Sequence, residues 1–181
     1  MLPRYFVFLD RYENNIIENN ITNLGVIYRN YTKIENLTEI SRISSYCKKK
    51  GFKFYISNNF KLAKKIKADG LYIPAFNKNM IFKKLDLCKN FKIIGSAHNQ
   101  IEIKRKKEQG CEAIFLSPLF QIKKKTKYLG ICRFNLLTLN QKIEFIALGG
   151  ITKSNINNLK MLKVIGMAGI SYFKKKTGLN F

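Results

Sequence analysis

Two stretches near the C-terminus carry residue types that could hold an anion: Ile146-Ala147-Leu148-Gly149-Gly150-Ile151-Thr152 with Asn155, then Gly166-Met167-Ala168-Gly169-Ile170-Ser171. Each reads as a short buried strand opening into a glycine-containing turn. Glycines after a strand let backbone N–H groups approach an anion closely, and the N-terminus of a following helix adds favourable dipole charge. A glycine pair alone serves a tight turn equally well. His98 is the single histidine of the chain and follows the apolar run Lys92 to Gly95. An imidazole titrates near neutral pH, so this side chain is a candidate acid/base group; a structural role is the competing reading.

The elements that must position these residues alternate. Apolar runs rich in β-branched and aromatic residues recur at Tyr5 to Leu9, Gly25 to Tyr28, Phe52 to Ile56, Gly70 to Ile73, Lys92 to Gly95, Ala113 to Ser117, Ile143 to Leu148 and Ile165 to Ala168. Helical patterns lie between them at Glu35 to Lys49, Phe60 to Lys67, Asn99 to Glu108 and Lys153 to Leu162. Strands alternating with helices imply parallel pairing and right-handed crossovers, and eight such strands predict a closed (βα)8 TIM barrel, class α/β. In that architecture the loops after strands seven and eight build a phosphate site, which matches the two glycine turns. With 181 residues the barrel must be trimmed, since complete ones typically run to roughly 250. No linker or composition shift divides the chain, which predicts one domain over residues 1–181.

Composition bounds the remaining choices. The hydrophobic fraction is 46%, and no apolar run approaches the roughly 20 residues of a membrane span. Met1 to Asp10 lacks a small-residue cleavage site and reads as the first strand. Cys47, Cys88, Cys111 and Cys132 form no CxxC pair, so neither zinc nor a disulfide framework is indicated, and a cytoplasmic location is expected. The formal charge of +23 would suit nucleic acid, but runs such as Lys48-Lys49-Lys50, Lys104-Arg105-Lys106-Lys107 and Lys123-Lys124-Lys125 are scattered along the chain. They read as solvated faces, and no nucleic-acid partner is expected despite the charge.

The strand-end residues, in order, are Arg29; Asn58-Asn59; Ala68-Asp69-Gly70-Leu71-Tyr72-Ile73; Gly95-Ser96-Ala97-His98 with Glu102; Gly110 to Phe120 with Lys125 and Gly130; Ala147 to Ile151 with Asn155; and Gly169-Ile170-Ser171. In this order and spacing the chain resembles the thiamine phosphate synthase and thiazole tautomerase (TenI) family of βα-barrels. In that family the synthase joins a pyrimidine diphosphate to a thiazole phosphate with magnesium's help. The resemblance implies that Gly150, Ile170 and Ser171 hold the thiazole phosphate, that Arg29 is a pyrimidine-site arginine and that Lys125 binds pyrophosphate. Asn58 matches an asparagine ending strand three, and Ser96 a serine after strand five.

The departures fall on the diphosphate chemistry. Asn59 and Asn77 stand at the family's two magnesium aspartates, Ile27 replaces a glutamine, Tyr31 a lysine, and Ile122 and Lys124 two threonines. Neutral amides are poor magnesium ligands, so no resident metal or cofactor is expected; Mg²⁺ enters only if the chain is an active synthase with a rebuilt magnesium site. In the tautomerase branch the histidine at the position of His98 moves a proton on the thiazole phosphate carboxylate. The resemblance therefore implies a thiamine-biosynthesis protein binding a small phosphorylated thiazole or similar phosphoester, with metal-independent tautomerase-like or diverged activity. The alternatives are that synthase, a non-catalytic phosphate-ligand binder and a basic RNA-associated protein.

Overall fold

The computed structural model describes residues 1–12, 22–31, 36–84, 87–122 and 127–169. Eight parallel strands form a closed barrel in sequence order: β1 (Tyr5–Leu9), β2 (Leu24–Tyr28), β3 (Lys53–Ser57), β4 (Gly70–Ile73), β5 (Lys92–Ala97), β6 (Ala113–Leu116), β7 (Glu144–Leu148) and β8 (Gly166–Ala168). Closure rests on β8 pairing with β1, Met167 opposite Tyr5 and Ala168 opposite Phe6. The eight-stranded closed barrel expected from the sequence is the one found, with strand bounds within a residue or two of the apolar runs.

Alternation along each strand separates two apolar cores. Phe6 and Phe8 point inward with Ile27, Tyr55, Tyr72, Ile94 and Phe115, while Val7 and Leu9 belong to the core between barrel and helices. Aromatic rings fill the interior edge-to-face: Phe6 and Phe115 lie 5.0 Å apart at 88°, Phe8 and Tyr72 5.3 Å apart at 74°. Gly25 makes room for this, because a Cβ there would stand 2.5 Å from the Phe6 ring.

The helices are α1 (Leu37–Lys50), α2 (Phe60–Lys65), α3 (Gln100–Glu108) and α4 (Gly130–Thr138), with 3₁₀ turns at Ile81–Lys84 and Ile156–Met161. Helix α1 buries Ile40, Ile43 and Cys47 on one face; Asn36 caps its start and Gly51 ends it in the left-handed region. Two differences from the sequence reading stand out. Helix α4 was not expected, and the segment Lys153 to Leu162, expected as an amphipathic helix, is a short 3₁₀ turn that buries none of its six residues. Ile156, Asn157 and Asn158 are weak helix formers, and without a buried stripe nothing compensates them. The helix dipole anticipated behind the first glycine turn is therefore missing. Among the described residues, no helix is long and apolar enough to cross a membrane.

Candidate functional site

Parallel strands present all their C-terminal ends at one rim of the barrel, and the expected site residues that lie within the described chain gather there. Lys125, Ile170 and Ser171 lie outside the described residues.

Gly149 and Gly150 follow β7 with φ of +94° and +71°. The loop after β6 packs on this turn, with Leu119 N donating to Leu148 O (2.8 Å) and Phe120 N to Gly149 O (3.0 Å). A Cβ on Gly150 would stand 2.5 Å from Phe120 O, so glycine is required by packing as well as by conformation. Asn155 locks the turn from the other side, its Nδ2 donating to Gly150 O and its Oδ1 accepting from Thr152 N, both at 2.8 Å.

His98 follows β5. Its backbone N–H donates to Glu102 Oε2 at 2.7 Å, and Glu102 N donates to the Asn99 side chain, the N-cap of α3. The same carboxylate oxygen lies 3.5 Å from His98 Nδ1, within ion-pair reach but too long for a hydrogen bond, and Nδ1 is buried with no hydrogen-bond partner. The ring as a whole is 39% exposed.

Deeper in the barrel mouth, Tyr72 Oη donates to Ser96 Oγ at 2.8 Å. Burial pushes the Tyr72 phenol up to about 12, opposed by the Ser96 hydrogen bond and by Arg29 and reinforced by Tyr31, so it is a neutral donor at physiological pH. The Arg29 guanidinium sits 4.7 Å above the Phe8 ring and 5.8 Å from that of Tyr31, and the Arg29 backbone N–H donates to Leu9 O. Arg29, Tyr72 and Ser96 thus form one group.

The residues at the family's magnesium positions are occupied with structure. Asn59 Oδ1 accepts from Leu62 N at 2.9 Å and caps α2; Asn77 Oδ1 accepts from Asn79 N at 2.7 Å; Asn77 Nδ2 donates to Asn58 Oδ1. Each amide oxygen already receives an N–H, none is charged, and the described residues contain no cluster of three or more His, Cys, Asp or Glu that could hold a metal. This donor set does not fit magnesium, which takes hard oxygen ligands and usually a carboxylate.

The loop after β4 is anchored by a group that the sequence reading placed in a solvated run. Lys106 is 0% exposed, its Nζ donating to Asn77 O (3.0 Å) and Gln109 Oε1 (2.8 Å), while Gln109 Nε2 donates to Asn77 O (3.1 Å) and Asn79 O (2.8 Å). The run Lys104 to Lys107 is therefore solvated only in part, because α3 turns Lys106 inward. Burial pulls its ammonium down to about 8, opposed first by the Cys111 thiol, with Arg105 lowering it further. The unfolded chain keeps that proton to about 10.4, so between these values the unfolded state binds more protons and stability rises with pH. Melting temperatures of the wild type and Lys106→Met between pH 7 and 10 should shift progressively in favour of the wild type. The thiols of Cys47 and Cys111 are pushed up to about 12 by burial and are not nucleophiles; Cys88 and Cys132 are exposed.

A cavity of about 510 Å³ opens at this rim, lined by Asn30, Tyr31, Ser57, Asn58, Asn59 and Phe76. A second, of about 630 Å³, lies at the opposite end around Tyr5, Glu144, Val164 and Met167, and none of the expected site residues reaches it. Phe76, Lys106 and Gln109 were not singled out in the sequence. No local motif marks the first, and only a helical count from Ile103 hints that Lys106 turns toward the core.

A family model described as thiamine monophosphate synthase matches residues 14–173. A thiamine-phosphate synthase of Prochlorococcus marinus is 32% identical over 136 residues, covering 74% of this chain and 38% of its own length. The chain thus spans less than half of that relative. A putative thiamine-phosphate synthase 2 of Aquifex aeolicus is 28% identical over 185 residues, covering 95% of this chain and 98% of that protein. A solved thiamine phosphate pyrophosphorylase from Pyrococcus furiosus superposes with a TM-score of 0.74 at 19% identity, over 97% of this chain and 89% of that one, a likeness of fold. With the family match running through most of the barrel, the chain belongs to the thiamine monophosphate synthase and TenI family of thiamine biosynthesis.

Proposed function

We propose that the chain binds a thiazole phosphate or a similar small phosphoester at the C-terminal rim and moves a proton on it without a metal. The observation that carries this reading is His98, a 39% exposed ring just after β5 with the Glu102 carboxylate 3.5 Å from its buried Nδ1. In the reaction Nε2 takes a proton from a ring carbon and returns it to a conjugated carbon outside the ring, so no atom is gained or lost. The carboxylate of Glu102 steadies the imidazolium formed in between. The Gly149-Gly150 turn, with Ile170 and Ser171 further along the sequence, would hold the phosphate away from the reacting carbons. Arg29 and the Tyr72–Ser96 pair supply donors on the pyrimidine side of the family's site.

A second reading, an active synthase, is favoured by the names of the relatives and by Arg29. One preparation assayed for condensation and for solvent-deuterium incorporation, with and without a chelator, separates the two. We expect exchange to persist in chelator. Condensation that depends strictly on low concentrations of magnesium would instead establish the synthase. Absence of both activities, with thiazole phosphate still bound, would leave a non-catalytic binder.

A further inference from the structure

The end of the barrel away from the candidate site carries a ring of charges at the strand starts. Lys53 at the start of β3 pairs with Asp69 before β4, and Lys92 at the start of β5 with Glu112 before β6, each at 2.8 Å. The ring continues with Glu144, the first residue of β7, and Arg4, the residue before β1. Neither of these two makes an ion pair with a described residue. Between them runs β8, with Gly166 opposite Ile146 of β7 and Met167 opposite Tyr5 of β1. Gly166 has no side chain to fill the gap, and a Cβ there would stand 2.1 Å from Arg4 O, so none can be added. Neighbouring strands lie about 4.8 Å apart, which puts β1 and β7 about 10 Å from one another across β8.

The cavity of about 630 Å³ opens at this gap, and Arg4 and Glu144 both line it. Its remaining wall is largely apolar and includes Leu2, Ile156, Leu159 and Val164. Ile156 and Leu159 belong to the 3₁₀ turn that buries none of its six residues, so the turn leaves the space beside β8 open instead of sealing it. Such a volume suits a small molecule. An apolar ligand alone would strip water from a guanidinium and a carboxylate without replacing it, and a ligand with one charge would satisfy one residue while facing its own sign at the other. A zwitterion with an apolar body meets all three demands. We propose that this cavity is a second ligand site, separate from the C-terminal rim, for an amino acid with an apolar side chain: its carboxylate on Arg4, its ammonium on Glu144 and its side chain against Leu159 and Val164. The site takes no part in the proton transfer proposed above.

The test is calorimetric titration of the whole chain with L-leucine and with two analogues, isocaproate, which lacks the ammonium, and isoamylamine, which lacks the carboxylate. Leucine should bind at least about tenfold more tightly than either, the scale of one charge-assisted hydrogen bond. Glu144→Gln should weaken leucine and isoamylamine about tenfold and leave isocaproate unchanged, whereas Arg4→Gln should weaken leucine and isocaproate and leave isoamylamine unchanged. Both side chains are exposed, so folding is not at stake, and melting curves check this. Leu159→Trp, which fills the cavity, should abolish binding of all three. Failure of leucine, methionine and phenylalanine alike to bind, analogues that bind as tightly as leucine, or unchanged leucine affinity in both glutamine variants would overturn the proposal. Inorganic phosphate titrated into the same variants reports on the C-terminal rim, and a fall in its affinity there would overturn the separation of the two sites. Absence of phosphate binding to the wild type would count against the proposed function and leave this site standing.

Discussion

Replacing His98 by Asn is expected to lower solvent-deuterium exchange into a thiazole phosphate by roughly 10²- to 10⁴-fold, the usual contribution of a positioned acid or base. Little stability should be lost with it. The ring is 39% exposed and its buried Nδ1 has no hydrogen-bond partner, so the folded state gives up few contacts on substitution. Phosphate affinity should be unchanged, because the Gly149-Gly150 turn follows β7 and not β5. A structural histidine makes the opposite forecast: the melting temperature falls while exchange per folded molecule stays constant. Measuring both on one preparation decides the matter. Glu102 is less suited to the same experiment, because its carboxylate also accepts the His98 backbone N–H and supports the start of α3. A Glu102 variant would disturb geometry and chemistry together.

How much of this was legible follows from where the information lies. The strands were readable because a barrel strand is buried on both faces and appears as a short apolar run, as in Tyr5–Leu9 and Gly70–Ile73, whose bounds agree with the structure. Helix α4 escaped because its cap position, Leu129, makes no side-chain cap, its first residue is Gly130, and only Phe134 is buried. The same weakness of pattern in reverse made Lys153 to Leu162 look helical. At the candidate site, the rim positions of His98 and Gly150 were legible because strand ends in a barrel share one rim, so position along the chain translates into position in space. The wall of the rim cavity could not be found that way. Phe76 sits in a loop with no local signature, and Lys106 lies in a run whose neighbours are solvated; what turns it inward is a carbonyl 29 residues away, at Asn77. Long-range satisfaction of a buried donor leaves no trace in local sequence.

The glycine turn offers the other large effect, and the chain contains its own control. Gly51 and Gly150 have nearly the same φ, +69° and +71°, but a Cβ on Gly51 meets nothing within 4 Å, whereas one on Gly150 would stand 2.5 Å from Phe120 O and 2.7 Å from Gln121 O. Gly51→Ala therefore reports the left-handed penalty alone, about 1 kcal/mol. Gly150→Ala carries that penalty and must also displace backbone, since neither obstructing oxygen is the end of a flexible side chain. Its destabilisation should exceed that of Gly51→Ala by on the order of 1–3 kcal/mol. Functionally the two should diverge further. Moving the loop after β6 disturbs the hydrogen bonds from Leu119 and Phe120 that shape the turn, so phosphate affinity falls in Gly150→Ala and is untouched in Gly51→Ala. Denaturant melts give the first comparison and phosphate titrations of the folded variants the second. Equal destabilisation in the two variants would mean that the loop after β6 yields freely; unchanged phosphate affinity in Gly150→Ala would place the phosphate elsewhere on the rim.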